Sequence, residues 1–128
     1  MTITNFDNHK YLNIETFRKS GVGVQTPVWF VREGDVLCVW TQANSGKAKR
    51  IRNNGRVRVA PCTARGELLG EWVEAHAEAN NSPEAIKHVR KLMTAKYGLA
   101  YRGFQLMGKL QRAQYTTLKI TFTGQPAN

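Results

Sequence analysis

Acidic side chains are scarce in this sequence. Nine Asp and Glu stand against nineteen Lys and Arg, giving a formal charge of +10 over 128 residues. No acid lies between Val36 and Gly66, where seven Lys and Arg do, and none follows Glu84. Paired carboxylates for hydrolysis are therefore poorly supported, since the few acids fall mostly in turns or in the Glu74/Glu78 row. Cysteine is limited to Cys38 and Cys62, in apolar strand-like contexts without companion Cys or His at metal spacing. Both read as buried thiols in a reducing cytoplasm. No Ser-His-Asp or Cys-His constellation is recognisable, and His9 and His88 have no partner pattern. No apolar run approaches the ~20 residues that span a bilayer. The stretch from Met1 to Asp7 lacks a basic region followed by an apolar one, so no signal peptide and a cytoplasmic location are expected.

What is present is enough for a core. The hydrophobic fraction is 41%, and one domain covering residues 1–128 is expected. The positive charge raises encounter with nucleic acid, a membrane surface or a polyanionic cofactor, without choosing among them.

Periodicity favours antiparallel β-structure. Tyr11 to Ser20 reads as a strand, with Tyr11 to Ile14 also compatible with a preceding turn, and Gly21 and Gly23 mark a tight turn or a close backbone approach. Val22, Val24, Thr26, Val28 and Phe30 alternate with Gly23, Gln25, Pro27, Trp29 and Val31, a strand of period two. Pro27 cannot donate to a ladder, so that strand is an edge or carries a bulge. Trp29 faces opposite Val28 and Phe30, off the core. Glu33-Gly34-Asp35 closes a hairpin onto Val36–Trp40. Arg56 to Ala60 is a further strand ending at Pro61, and another runs from about Leu69 to Ala79. In the latter Val73, Ala75, Ala77 and Ala79 share one face, and Trp72, Glu74, His76 and Glu78 the other. An i, i+2, i+4 row sets the last three ~6–7 Å apart, too far for easy chelation, so no metal is expected. Ser82-Pro83-Glu84 starts a helix with an apolar stripe at Ile86, Val89, Leu92 and Met93, capped by Gly98. A weaker helix carries Phe104, Met107 and Leu110. In the last strand Thr117, Lys119 and Thr121 alternate with Leu118, Ile120 and Phe122. Short turns between such strands favour a meander or Greek-key barrel over a parallel sheet.

One stretch stands out chemically. After the apolar run Val36–Trp40, Thr41 to Arg52 places Ser45, Gly46, Lys47, Lys49 and Arg50 where a helix begins, with Asn53-Asn54-Gly55 as its stop. A helix start presents unpaired N–H groups and a positive dipole end, so cations there are unfavourable unless an anion compensates them. This is what a phosphate-holding site looks like; a solvated basic helix has the same composition. It is not a P-loop, because position 41 is Thr and position 48 is Ala. Gly21-Val22-Gly23 likewise lacks the rest of a dinucleotide fingerprint. With the helix begun by Lys47, Lys47 and Arg50 share nearly one face while Lys49 points away, which orders them Lys47, Arg50, Lys49 as phosphate ligands.

Three segments together carry a resemblance: Tyr11 to Arg18, Gln25 to Phe30, and Trp40-Thr41 with Ser45 to Arg52. They resemble the flavin/deazaflavin oxidoreductase group of the pyridoxamine 5′-phosphate oxidase-like superfamily, the FMN-binding split-barrel family. Gly55 to Cys62, Gly66 and Gly70 to Glu74 continue the likeness over roughly residues 10 to 123. The resemblance implies a mainly β fold with flanking helices: a six-stranded antiparallel Greek-key split β-barrel, usually a homodimer with cofactor at the interface. It implies that Thr26, Pro27, Val28 and Trp29 lie along the cofactor ring, and that Thr41, Ser45, Gly46 and Lys47 reach its phosphate. Lys49 and Arg50 would lie nearby, and Trp72 is a candidate contribution from the partner subunit. Coenzyme F420 is the implied cofactor, with FMN as the alternative. The C-terminal substrate-phosphate residues of pyridoxamine phosphate oxidases proper are not found, so vitamin B6 oxidation is not expected. A bound flavin or deazaflavin carries hydride chemistry itself, so the lack of a nucleophile, base or metal constellation is consistent. The expectation is an oxidoreductase acting on a small conjugated or electron-poor molecule, with no nucleic-acid or membrane partner. The rival is a basic nucleic-acid-binding barrel, which needs aromatics among its cations; none interrupts the Lys/Arg cluster of residues 47 to 58.

Overall fold

Seven antiparallel strands and two helices follow from this patterning. The computed structural model describes residues 3–98 and 115–123. After a short 3₁₀ turn (Ile3–Phe6) come β1 (Tyr11–Phe17), β2 (Gly23–Trp29), β3 (Val31–Glu33), β4 (Val36–Gln42), α1 (Gly46–Asn53), β5 (Arg56–Cys62), β6 (Val73–Asn80), α2 (Pro83–Tyr97) and β7 (Tyr115–Phe122). The strand order is β2-β1-β5-β6-β7-β4-β3. β2 and β3 are consecutive in the chain, with only Phe30 between them, yet they occupy opposite ends of that order. One bent length of backbone therefore pairs first with β1 and then with β4, and the sheet curls round to meet itself. This is the expected split barrel. Ladders divide the bent strand in two, so seven strands are counted where six were expected.

The barrel interior takes the apolar face of each strand. Leu12, Ile14, Leu37, Val39, Val57, Val59, Val73, Ala75, Ala77, Leu118 and Ile120 are buried there. Phe6 packs edge-on against Phe30 at 6.0 Å and tilted against Phe122 at 5.5 Å, sealing one end. Full burial of such a Leu, Ile or Phe contributes about 1.5–3 kcal/mol. A second cluster lies beneath α2, where Val89 and Met93 meet Val31 and Cys38, with Trp29, Trp40 and Tyr97 at its margin.

Several boundaries differ from the sequence reading. β1 ends at Phe17, because Gly21 (φ +92°) turns the chain and its N–H donates to the Arg18 carbonyl at 2.8 Å. β5 runs through Pro61 to Cys62. By ladder alternation the Pro61 nitrogen faces the β6 side, where pairing has already ended at Val59↔Val73, so the missing N–H breaks no bond. β6 begins at Val73 rather than near Leu69; Leu68 makes one isolated bridge to Cys62, and the chain bends at Leu69 and Gly70 before the ladder starts. β7 begins at Tyr115, and Thr117, although it alternates with the apolar residues, is buried with its hydroxyl donating to the Asn80 carbonyl at 2.7 Å. The helix expected around Phe104, Met107 and Leu110 lies outside the described residues. Cys38 and Cys62 are free and buried, and burial pushes both thiols up. Glu74 pairs with Arg56 at 2.9 Å, and no group of three metal-ligating side chains occurs among the described residues.

Candidate functional site

The seam of the barrel is where backbone is left over. β2 pairs with β1 alone, which makes it the edge strand that Pro27 requires. The Arg18 N–H to Val22 carbonyl bond extends this ladder. By alternation it makes Thr16/Val24, Ile14/Thr26 and Leu12/Val28 the hydrogen-bonded pairs, so backbone groups of Gln25 and Pro27 point away from β1. Across the seam stands β4, held on its far side by β7. The gap is a cleft of about 380 Å³, lined by Thr26–Trp29 of β2 and Trp40–Gln42 of β4. Tyr11, Ser45, Lys47, Met93 and Tyr115 complete the lining. Its volume is within the range of roughly 300–1,000 Å³ typical of small-molecule sites.

One end of the cleft is polar and basic. Ser45 is the N-cap of α1, its hydroxyl accepting from the Ala48 N–H at 3.2 Å. α1 has no acid in its first turn, so nothing within the helix offsets Lys47 against the dipole. Lys47 is half-buried, and burial with the nearby Arg50 guanidinium pushes its pKa down. No carboxylate among the described residues forms an ion pair with it, and no acidic side chain lines the cleft. The buried Thr41 hydroxyl lies on the same wall. A cation, two hydroxyls and a helix start together suit a phosphate or another anion.

The rest of the lining is mostly apolar and aromatic. Pro27, Val28 and Trp29 form one wall, with Trp40, Tyr115 and Met93 also lining the cleft. Trp40 and Tyr115 pack at 4.5 Å, tilted by 48°. Trp29 stacks on Tyr97 with ring centroids 4.7 Å apart and planes within 8°, so α2 covers one of its faces. Among the described residues no hydrogen-bonded nucleophile–base pair lines the cleft, and the lining suits binding and orienting.

Of the residues singled out from the sequence, Thr26, Pro27, Val28, Trp29, Thr41, Ser45 and Lys47 meet in this cleft although they come from three elements. The others lie outside its lining. Gly46 and Lys49 are exposed on α1. Arg50 turns to β1, its Nε donating to the Thr16 hydroxyl at 2.6 Å, and bears on the cleft through its charge beside Lys47. Trp72 lies under the Arg58 guanidinium, 4.8 Å from its ring centre, while Arg58 pairs with the buried Glu15. Tyr11, Trp40, Gln42, Met93 and Tyr115 joined the lining without having been selected. Met93 had been assigned to the core stripe of α2, and it is both buried and at the cleft. Trp40 and Gln42 flank Thr41, and that adjacency was the available signal.

No protein-family model matches the chain, and no curated protein is significantly similar in sequence. Solved structures are similar in fold. A candidate pyridoxamine 5′-phosphate oxidase from Listeria innocua is 11% identical, covering 94% of this chain and 89% of that one, with TM-score 0.66. An F420 reductase is 13% identical, covering 95% and 93%, with TM-score 0.62. HutZ, a heme storage protein from Vibrio cholerae, is 16% identical, covering 91% and 83%, with TM-score 0.70. At these identities the likeness speaks for fold. The chain has the split-barrel fold of the pyridoxamine 5′-phosphate oxidase-like proteins.

Proposed function

We propose that the chain binds a phosphorylated flavin-type coenzyme in the seam cleft and uses it for hydride transfer to a small conjugated or electron-poor molecule. Coenzyme F420 is the preferred occupant and FMN the alternative. The observation that carries this reading is the half-buried Lys47, facing the cleft without a carboxylate among the described residues, opposite an apolar wall of Pro27, Val28 and Trp29. Lys47, Ser45 and Thr41 would hold the phosphate, and the β2 edge would lie along the ring. A flavin or deazaflavin supplies the redox chemistry when bound. The chain's own residues bind it, orient it and exclude water with the aromatic walls. Arg50 keeps the basic end electropositive without entering it. The F420 reductase of the same fold supports this reading, as does the absence of acids from the cleft. The fold likeness to HutZ carries less weight, because no histidine lines the cleft. A homodimer in the cytoplasm, with Trp72 given to a partner's site, belongs to the same proposal.

The test is anaerobic. Reduced coenzyme F420 and reduced FMN are each mixed with the protein and a quinone or enone acceptor, and coenzyme reoxidation is followed by absorbance. Protein-dependent reoxidation that saturates with acceptor is expected. Binding without such turnover would make the chain a coenzyme carrier instead of an enzyme.

A further inference from the structure

We propose that Tyr97 and Lys96, the last two residues of α2, latch the break between β2 and β3 and thereby position the Trp29 wall of the cleft for its ligand. The ligand part of this inference rests on the coenzyme-site reading; the latch itself does not.

The break is a single residue. Phe30 leaves the β1 ladder on one side and precedes the β4 ladder on the other. Its N–H donates to the Tyr97 hydroxyl at 3.0 Å. Its carbonyl accepts from the Lys96 ammonium at 2.8 Å and lies 2.6 Å from the same Tyr97 hydroxyl. A phenol has one proton to give. With Lys96 serving the Phe30 carbonyl, that proton is available to the Lys10 carbonyl at 2.7 Å, one residue before β1. Tyr97 thus joins the start of β1 to the N–H of the break, while Lys96 holds its carbonyl. The Lys96 ammonium also lies 3.6 Å from the centre of the Phe30 ring. Gly98 (φ +63°) caps the helix through its N–H to the Thr94 carbonyl at 2.9 Å, which fixes the register of both residues.

The latch reaches the cleft through Trp29. Trp29 precedes the break, lines the cleft, and has the Tyr97 ring stacked on one face. The same residue therefore sets where the backbone leaves β2 and how the Trp29 indole is held. A helix end that served only as an anchor would need the ring packing alone. The paired bonds to Phe30 add control of the strand that the coenzyme ring would lie along. Burial also pushes the Lys96 pKa down to about 8, so the ammonium is held there against a desolvation cost.

The protein has three tryptophans, which 5-fluorotryptophan labelling resolves as three fluorine resonances, assigned by W29F, W40F and W72F. Y97F keeps the ring and removes the hydroxyl; K96M keeps the stem and removes the ammonium. In both variants, without ligand, the Trp29 resonance is expected to shift or broaden while that of Trp72 stays in place. In FMN and coenzyme F420 titrations, Y97F is expected to bind about tenfold more weakly than wild type, and K96M a few-fold more weakly. An unmoved Trp29 resonance in both variants overturns the latch. So does an equal movement of Trp72, which would mean general loosening. A moved Trp29 with unchanged affinity overturns the positioning role. If wild type binds neither coenzyme, the coenzyme-site reading fails and the fluorine spectra alone decide the latch.

Discussion

Lys47 sets the charge of the basic end of the cleft, and three neighbouring cations show how far the sequence could be read. Helical spacing set Lys47 and Arg50 on one face and Lys49 on another; Lys47 lines the cleft and Lys49 is exposed. It could not foresee that Arg50 would bond Thr16, because that partner lies 34 residues away on β1. Lys47→Glu should weaken coenzyme binding by at least the ~1.5–3 kcal/mol of a charge-assisted hydrogen bond. Lys49→Glu, a surface change with the same change of net charge, should cost much less. Calorimetric titration of the two variants checks this, and equal losses would reduce the role of Lys47 to long-range charge.

Among the elements, the locally written ones were legible and the non-locally determined ones were not. Pro27 within a period-two run announced an edge strand, and Ser45 and Ser82 announced two helix starts, each confirmed by a hydroxyl accepting from the N–H three residues on. The loop before β6 misled because Trp72 and Leu69 extend its apolar pattern, while the chain bends at Leu69 and Gly70 and pairing begins only at Val73. Gly98 marked where α2 ends, but the roles of Lys96 and Tyr97 there were not legible, since their partners at Phe30 are more than sixty residues away. It has a pH signature nonetheless. The folded chain releases the Lys96 proton near pH 8, under burial and against the pull of the Asp7 carboxylate, whereas the ordinary value is 10.5. Between those values the unfolded chain binds more protons, so this group makes stability rise with pH. Tyr97, whose hydroxyl is raised by burial, opposes this only where the phenols of the unfolded chain ionise, above about pH 10. Urea unfolding from about pH 7.5 to 9.5 should therefore show wild type gaining stability relative to K96M as pH rises. Parallel profiles would contradict a buried ammonium.

For the whole molecule, alternating strands and short turns spoke for a barrel, and the order β2-β1-β5-β6-β7-β4-β3 adds why it is split. The curled sheet is joined by one bent strand, and the free edge of its β2 part faces β4 across a gap. No local pattern encodes that closure, because it depends on β2 and β3 reaching opposite ends of one sheet. The +10 charge acts at this scale as well, drawing anions toward a molecule whose cleft lacks acids. No described helix is long and apolar enough to cross a membrane. The central claim is that the cleft takes a phosphorylated flavin-type coenzyme, and a difference-absorbance titration of the purified protein with coenzyme F420 and with FMN tests it most directly. Saturable binding of at least one of them with Kd below about 100 μM is expected. Failure of both to bind in that range would contradict it.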